Sequence, residues 1–204
     1  MMTLEKFEEA SEIVKKVTNP TKLVYSEYLS DETGGKIYLK PENMQHTGAY
    51  KIRGAYYKIS TLTEEEKEKG LITASAGNHA QGVAYAAKMF GCKATIVMPT
   101  VTPLIKVNRT KNLGADVVLY GDVYDDACEK AYQLAEEHGY TFVHPFDDLV
   151  CGDRAGKHCH GDRTGASDRG LYHCTDWRRR TDCRCCHACQ NAESKNQSDW
   201  SRAI

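Results

Sequence analysis

Three stretches of the 204-residue chain hold residue types that can do chemistry. The first, "SAGNHAQG" at 75–82, follows an apolar run and opens a helical pattern. At such a helix start the amides from Ser75 to His79 are expected to point outward without intrahelical partners, making a site for a carboxylate or phosphate. The same residues also suit a plain N-cap followed by small residues for close helix packing. The second, "ENMQHTGAYKIRGA" at 42–55, sets Lys51 after a Gly-containing turn and near a helix start. By residue type alone that lysine is an ordinary solvated amine. The third, "DWRRRTDCRCCHAC" at 176–189, packs Cys183, Cys186, His187 and Cys189 at metal-like density beside three arginines. Those soft ligands suit zinc, although their spacing fits no zinc motif well. The arginines suit phosphate or nucleic acid, but nearby carboxylates weaken that field.

Alternating strands and helices must position these groups. "LEKFEEASEIVKKV" has helical spacing of apolar residues and is broken by "NPTKL". "KIYLK" at 36–40 reads as a short strand, Lys51 to Ile59 as a helix, and "LTEEEKEKG" as a capped helix ending at Gly70. Then come strand "LITASA", helix "NHAQGVAYAAKMFG", strand "KATIVMP", and helix "TPLIKVNRTKNLG" with Pro103 near its start. Strand "ADVVLYG", helix "DVYDDACEKAYQLAEEHG" and strand "YTFVHPF" complete the series. Strands this short, alternating with helices from 71 to 146, predict parallel βαβ units in an open α/β sheet.

A break near Val150 divides the chain. Residues 1–150 hold two cysteines, Cys92 and Cys128, and two arginines, Arg53 and Arg109, whereas the last 54 residues hold seven cysteines, eight arginines and both tryptophans. From Val, Ile and Leu the tail has only Leu171 and Ile204. A segment so poor in aliphatics cannot bury enough surface to offset its ordering entropy, so 151–204 is expected to be disordered. The formal charge of −1 gives no general reason to expect a nucleic-acid or membrane partner. No apolar run approaches a membrane span, and the amphipathic N-terminus is no signal peptide, which makes the cytoplasm the expected location.

Together the first two motifs are far more specific than either alone. Residues 1–150 resemble the pyridoxal-phosphate enzymes of the tryptophan-synthase-β type (fold type II), and within them the catabolic threonine dehydratases, also called threonine ammonia-lyases. "KPENMQHTGAYKIRGA", "TASAGNHAQGVAYAA", "ATIVMPT" and "HPFDD" carry that resemblance. It implies an open, mostly parallel α/β sheet, incomplete in this chain, with a small α/β subdomain at roughly 50–146. It implies that Lys51 forms the Schiff-base linkage to pyridoxal 5'-phosphate and that Asn78 bonds the ring hydroxyl. Tyr50 flanks the ring, and the loop of Ser75, Ala76, Gly77, Asn78 and His79 binds the substrate carboxylate. The implied reaction is α,β-elimination, converting L-threonine, and L-serine as well, to a 2-oxo acid and ammonia. Lys51 then acts as nucleophile and proton carrier. The implied enzyme takes a small amino-acid substrate and forms a homo-oligomer.

Two departures and one gap qualify that picture. Position 49 is Ala where most relatives carry Ser, a tolerable change. Position 76 is Ala where serine racemases carry a serine that works as acid/base on the opposite face, so a dehydratase is favoured over the alternative of a racemase or serine dehydratase. The family's glycine-rich phosphate loop, of the form "GGGGL", is missing, and the tail stands where it should be. Read one nucleotide out of frame, the codons of the tail can nevertheless spell that loop. Trp177 has one codon and Arg178 must begin with A or C, so the shifted triplet across them is always glycine. With plausible codons "LYHCTDWRRRTDCRC" shifts to "YITVPIGGGGLIAG", and the sequences on either side shift to family-like text as well. The tail is therefore read as an out-of-frame translation, and the chain as a truncated, impaired enzyme with uncovered apolar faces. The rival reading is a non-catalytic fragment that binds a metal or a partner.

Overall fold

The computed structural model describes residues 4–145. Segment 151–204 lies outside them, and with it the zinc reading, the expected disorder and the out-of-frame reading. Helix α1 (Leu4–Lys15) is followed by a small antiparallel ribbon of β1 (Val24–Tyr25) and β2 (Tyr38–Leu39) with α2 (Glu27–Thr33) between them. The sequence pattern predicts a strand at 36–40 but no element over 24–33. The reason is physical: α2 is seven residues long and buries only Ser30, so it has no apolar stripe to betray it. It is held instead by its N-cap, where Ser26 Oγ accepts from the Leu29 amide at 3.4 Å.

The main unit begins with α3 (Lys51–Ser60) and α4 (Glu64–Glu68). A capping box between Thr63 and Glu66 starts α4, as its "TEEE" run predicts. Strand and helix then alternate through β3 (Leu71–Ala74), α5 (Asn78–Phe90), β4 (Ala94–Met98), α6 (Leu104–Asn112), β5 (Asp116–Leu119), α7 (Tyr124–His138) and β6 (Thr141–Phe142). The four strands are parallel in the order β5-β4-β3-β6, with Leu71 of β3 opposite Ala94 on one side and Thr141 on the other.

Strand pleating explains why β3 is buried at every position. Leu71 joins Ile96, Met98 and Val143 on the face covered by α3, α5 and α6, while Ile72 and Ala74 join Val97 against Ala127 and Ala131 of α7. Burial of both faces produces near-continuous apolar strands, which is how "LITA" and "ATIVM" read. Alanines of α5 line its buried side, letting the helix lie close to the sheet and to α3.

Topology locates the site. The chain winds from β3 to β4 to β5 in one direction, then crosses back behind α7 to lay β6 on the other side of β3. The direction of winding therefore reverses between β3 and β6. In open parallel sheets, the crevice beyond the carboxyl ends of strands at such a reversal is the usual ligand site.

Candidate active site

Lys51 is placed by the turn that precedes it. Glu42, in a single 3-10 turn (Glu42–Met44), accepts from Arg53 Nε at 2.9 Å and Nη2 at 2.8 Å, and from Thr21 Oγ1 at 2.6 Å. Gln45 pairs reciprocally with the backbone of Asn19, accepting from its N–H and donating to its carbonyl, each at 3.0 Å. Because Arg53 lies in the first turn of α3, this network ties the turn, the N-terminal connection and the helix start into one piece. Gly82 of α5 then lets the backbone of Lys51 approach closely: a Cβ there would stand 3.0 Å from the Lys51 carbonyl carbon and oxygen. The Lys51 side chain is half-buried, and Nζ donates to the Pro145 carbonyl at 3.1 Å. It also lies 5.6 Å from the ring centroid of Tyr50, itself 38% exposed.

The loop 75–79 lies at the carboxyl end of β3 and runs into α5. Its amides do not all face outward as the sequence suggests. Ser75 N–H donates to the Val97 carbonyl at 3.1 Å, extending the β3–β4 ladder by one rung. Gly77 N–H donates to Ser75 Oγ at 3.3 Å. Ala76 and Asn78 have amides with no hydrogen-bond partner among the described residues, and the Asn78 side chain is exposed at the helix start. A Cβ on Gly77 would meet nothing within 4 Å, so the loop faces open room. Two amides at the positive end of a 13-residue helix are the kind of donors that can receive an anion.

His79 behaves differently from the rest of the loop. Its imidazole is buried, and Nε2 reaches the Val143 carbonyl at 3.2 Å. Thr73 Oγ1 donates to the same oxygen at 2.7 Å. Thus Lys51 from α3 and His79 from α5 both meet the three residues that leave β6, Val143 to Pro145. Sequence reasoning missed Thr73, Gly82 and Pro145. The one signal for Thr73 was a polar residue inside an otherwise apolar strand.

A family model described as "Pyridoxal-phosphate dependent enzyme" matches residues 14–156. The chain belongs to this family. Among curated relatives, the L-threonine ammonia-lyase of Thermotoga maritima is 56% identical over 148 residues, covering 72% of this chain and 37% of that protein. Among solved structures, the processed threonine deaminase isoform 2 of Solanum lycopersicum superposes with a TM-score of 0.76 at 41% identity, covering 81% of this chain and 49% of that one. Serine racemase from Dictyostelium discoideum gives a TM-score of 0.76 at 32% identity, covering 82% and 54%. The chain thus spans about half or less of the proteins it resembles. The fold-type II architecture expected of pyridoxal-phosphate dependent enzymes is present in its α/β part. Among the described residues no helix is long and apolar enough to cross a membrane, and no group of three or more His, Cys, Asp or Glu is placed to hold a metal.

Proposed function

We propose that the complete enzyme is a pyridoxal-phosphate dependent threonine ammonia-lyase that also accepts L-serine. The convergence of the Lys51 amine with the end of β6 carries this reading, together with the 56% identity to the Thermotoga maritima enzyme. The donor set fits the ring and aldehyde end of the cofactor: a half-buried primary amine, an aromatic ring beside it, and an exposed amide side chain at the start of α5. When bound, pyridoxal phosphate supplies the electron sink that makes the substrate's α-hydrogen removable.

Each residue then has a task. Lys51 Nζ would hold the aldehyde end of the cofactor and, when freed, would take the substrate's α-proton and assist departure of the β-hydroxyl. Asn78 would bond the ring hydroxyl, and Tyr50 would flank the ring. The loop from Ser75 to His79 holds the substrate carboxylate, with the Ala76 and Asn78 amides as its donors. Loss of water followed by hydrolysis gives 2-oxobutanoate and ammonia from threonine, or pyruvate and ammonia from serine. Ala76 offers no hydroxyl on the far face, which favours elimination over racemisation. The working enzyme is a cytoplasmic homo-oligomer.

Segment 151–204 is the out-of-frame counterpart of the half that grips the cofactor phosphate. The family match ending at residue 156 supports this, as does the glycine forced at the Trp177–Arg178 junction. The test is to resequence the DNA across codons 140 to 204, restore one nucleotide, and assay the product. Formation of 2-oxobutanoate from L-threonine with native cofactor absorbance is expected. A confirmed original frame with no shifted glycine loop defeats the tail reading. D-serine formation from L-serine in place of elimination makes the enzyme a racemase.

A further inference from the structure

The geometry points to His79 as a positioning residue for the Lys51 amine, acting with Thr73 through the Val143 carbonyl; the inference rests on the reading of Lys51 as the cofactor-bearing group. The Val143 oxygen receives Thr73 Oγ1 at 2.7 Å and His79 Nε2 at 3.2 Å, enough to occupy both lone pairs of a carbonyl. The two donors come from different elements, β3 and the first turn of α5, and both side chains are buried. Val143 is itself buried, and its N–H donates to the Ile72 carbonyl at 2.8 Å. The backbone on the two sides of its Cα is thus held by β3 and by the start of α5.

Little slack separates that grip from Lys51. One residue, His144, intervenes before Pro145, whose carbonyl accepts from Lys51 Nζ at 3.1 Å. The proline ring fixes its own φ and confines His144 to extended backbone, so a shift of the Val143 carbonyl passes on to the Pro145 carbonyl. A carbonyl only accepts, so His79 Nε2 must carry hydrogen. That nitrogen is committed to the strand end. His79 and Thr73 therefore set where the Lys51 amine rests.

The test is competitive reductive methylation of the 204-residue chain with formaldehyde and cyanoborohydride. Peptide mass spectrometry reads the rate at Lys51 against the exposed Lys111 of α6. His79→Leu and Thr73→Val each remove one donor at similar size, and each is expected to raise the Lys51 rate roughly threefold to tenfold as the Pro145 carbonyl loosens, the range set by one hydrogen bond of ordinary net strength. His79→Gln, which keeps an N–H in reach, is expected to restore the wild-type rate. Unchanged Lys51 rates in folded His79→Leu and Thr73→Val overturn the inference. If both variants unfold, long-range proton–nitrogen spectra of the wild-type chain decide: an Nε2-protonated imidazole supports the inference, and an Nδ1-protonated one overturns it. Borohydride trapping of pyridoxal phosphate at Lys51 is scored separately, in the frame-restored enzyme. Its absence defeats the cofactor reading and leaves the methylation result to judge the coupling.

Discussion

The backbone of Lys51 packs against the bare Cα of Gly82, where an added Cβ would stand 3.0 Å from the Lys51 carbonyl and 3.2 Å from the Ile52 nitrogen. All three contacted atoms are main chain, so no side chain can swing aside to relieve the overlap. Gly82→Ala gains helix propensity worth about 1 kcal/mol, but the crowding costs about 1–3 kcal/mol. A net loss of up to about 2 kcal/mol is expected by urea denaturation, with a displaced helix start. Gly82→Val is expected to lose more, because its branched Cβ brings further atoms into the same gap. Equal stability of all three chains would show that α3 is free to retreat.

Glu42 and Arg53 form a bidentate pair whose side chains are 12% and 15% exposed. Removing one partner strands the other near the interior, whereas removing both does not. Glu42→Ala is expected to cost about 2–4 kcal/mol, and the double change with Arg53→Met less than the sum of the two singles. Thermal denaturation of the four chains measures the coupling. Simple additivity would mean that water already satisfies both groups.

Burial pushes the Cys92 thiol up, although the Lys67 ammonium opposes the shift. The folded chain therefore holds this proton to higher pH than the unfolded chain does. Folding is accordingly penalised as pH rises above the ordinary thiol value. Since the thiolate is the reactive form, iodoacetamide is expected to modify Cys92 more slowly than free cysteine at pH 8. Lys67→Met, which removes the opposing charge, is expected to slow it further. Timed alkylation with peptide mass spectrometry reads both rates.

In the frame-restored enzyme, Lys51→Ala is expected to lower turnover of L-threonine by about 10²–10⁴-fold or more, the usual worth of a positioned proton carrier. Ethylamine added as an external base is expected to recover part of that loss. A variant with near wild-type turnover would remove Lys51 from the reaction.

Much was legible from residue pattern alone. Strand–helix alternation from Leu71 onward, the α4 cap at Thr63 and the helix opening at Asn78 are local signals, written in periodicity and turn residues. What the sequence left open depends on groups distant along the chain. β1 and α2 carry no apolar stripe. The order β5-β4-β3-β6, and so the crevice beyond β3 and β6, is decided by which face each crossover helix packs on. Whether the Ser75 amide is free depends on Val97, 22 residues away, and the direction of the His79 imidazole on Val143, 64 residues away. Hydrogen bonds and close contacts of that span exist only once the sheet has closed. The sequence by itself determined the chemical groups and their local elements; the tertiary structure alone decided which donors the fold consumes and which it leaves for a ligand.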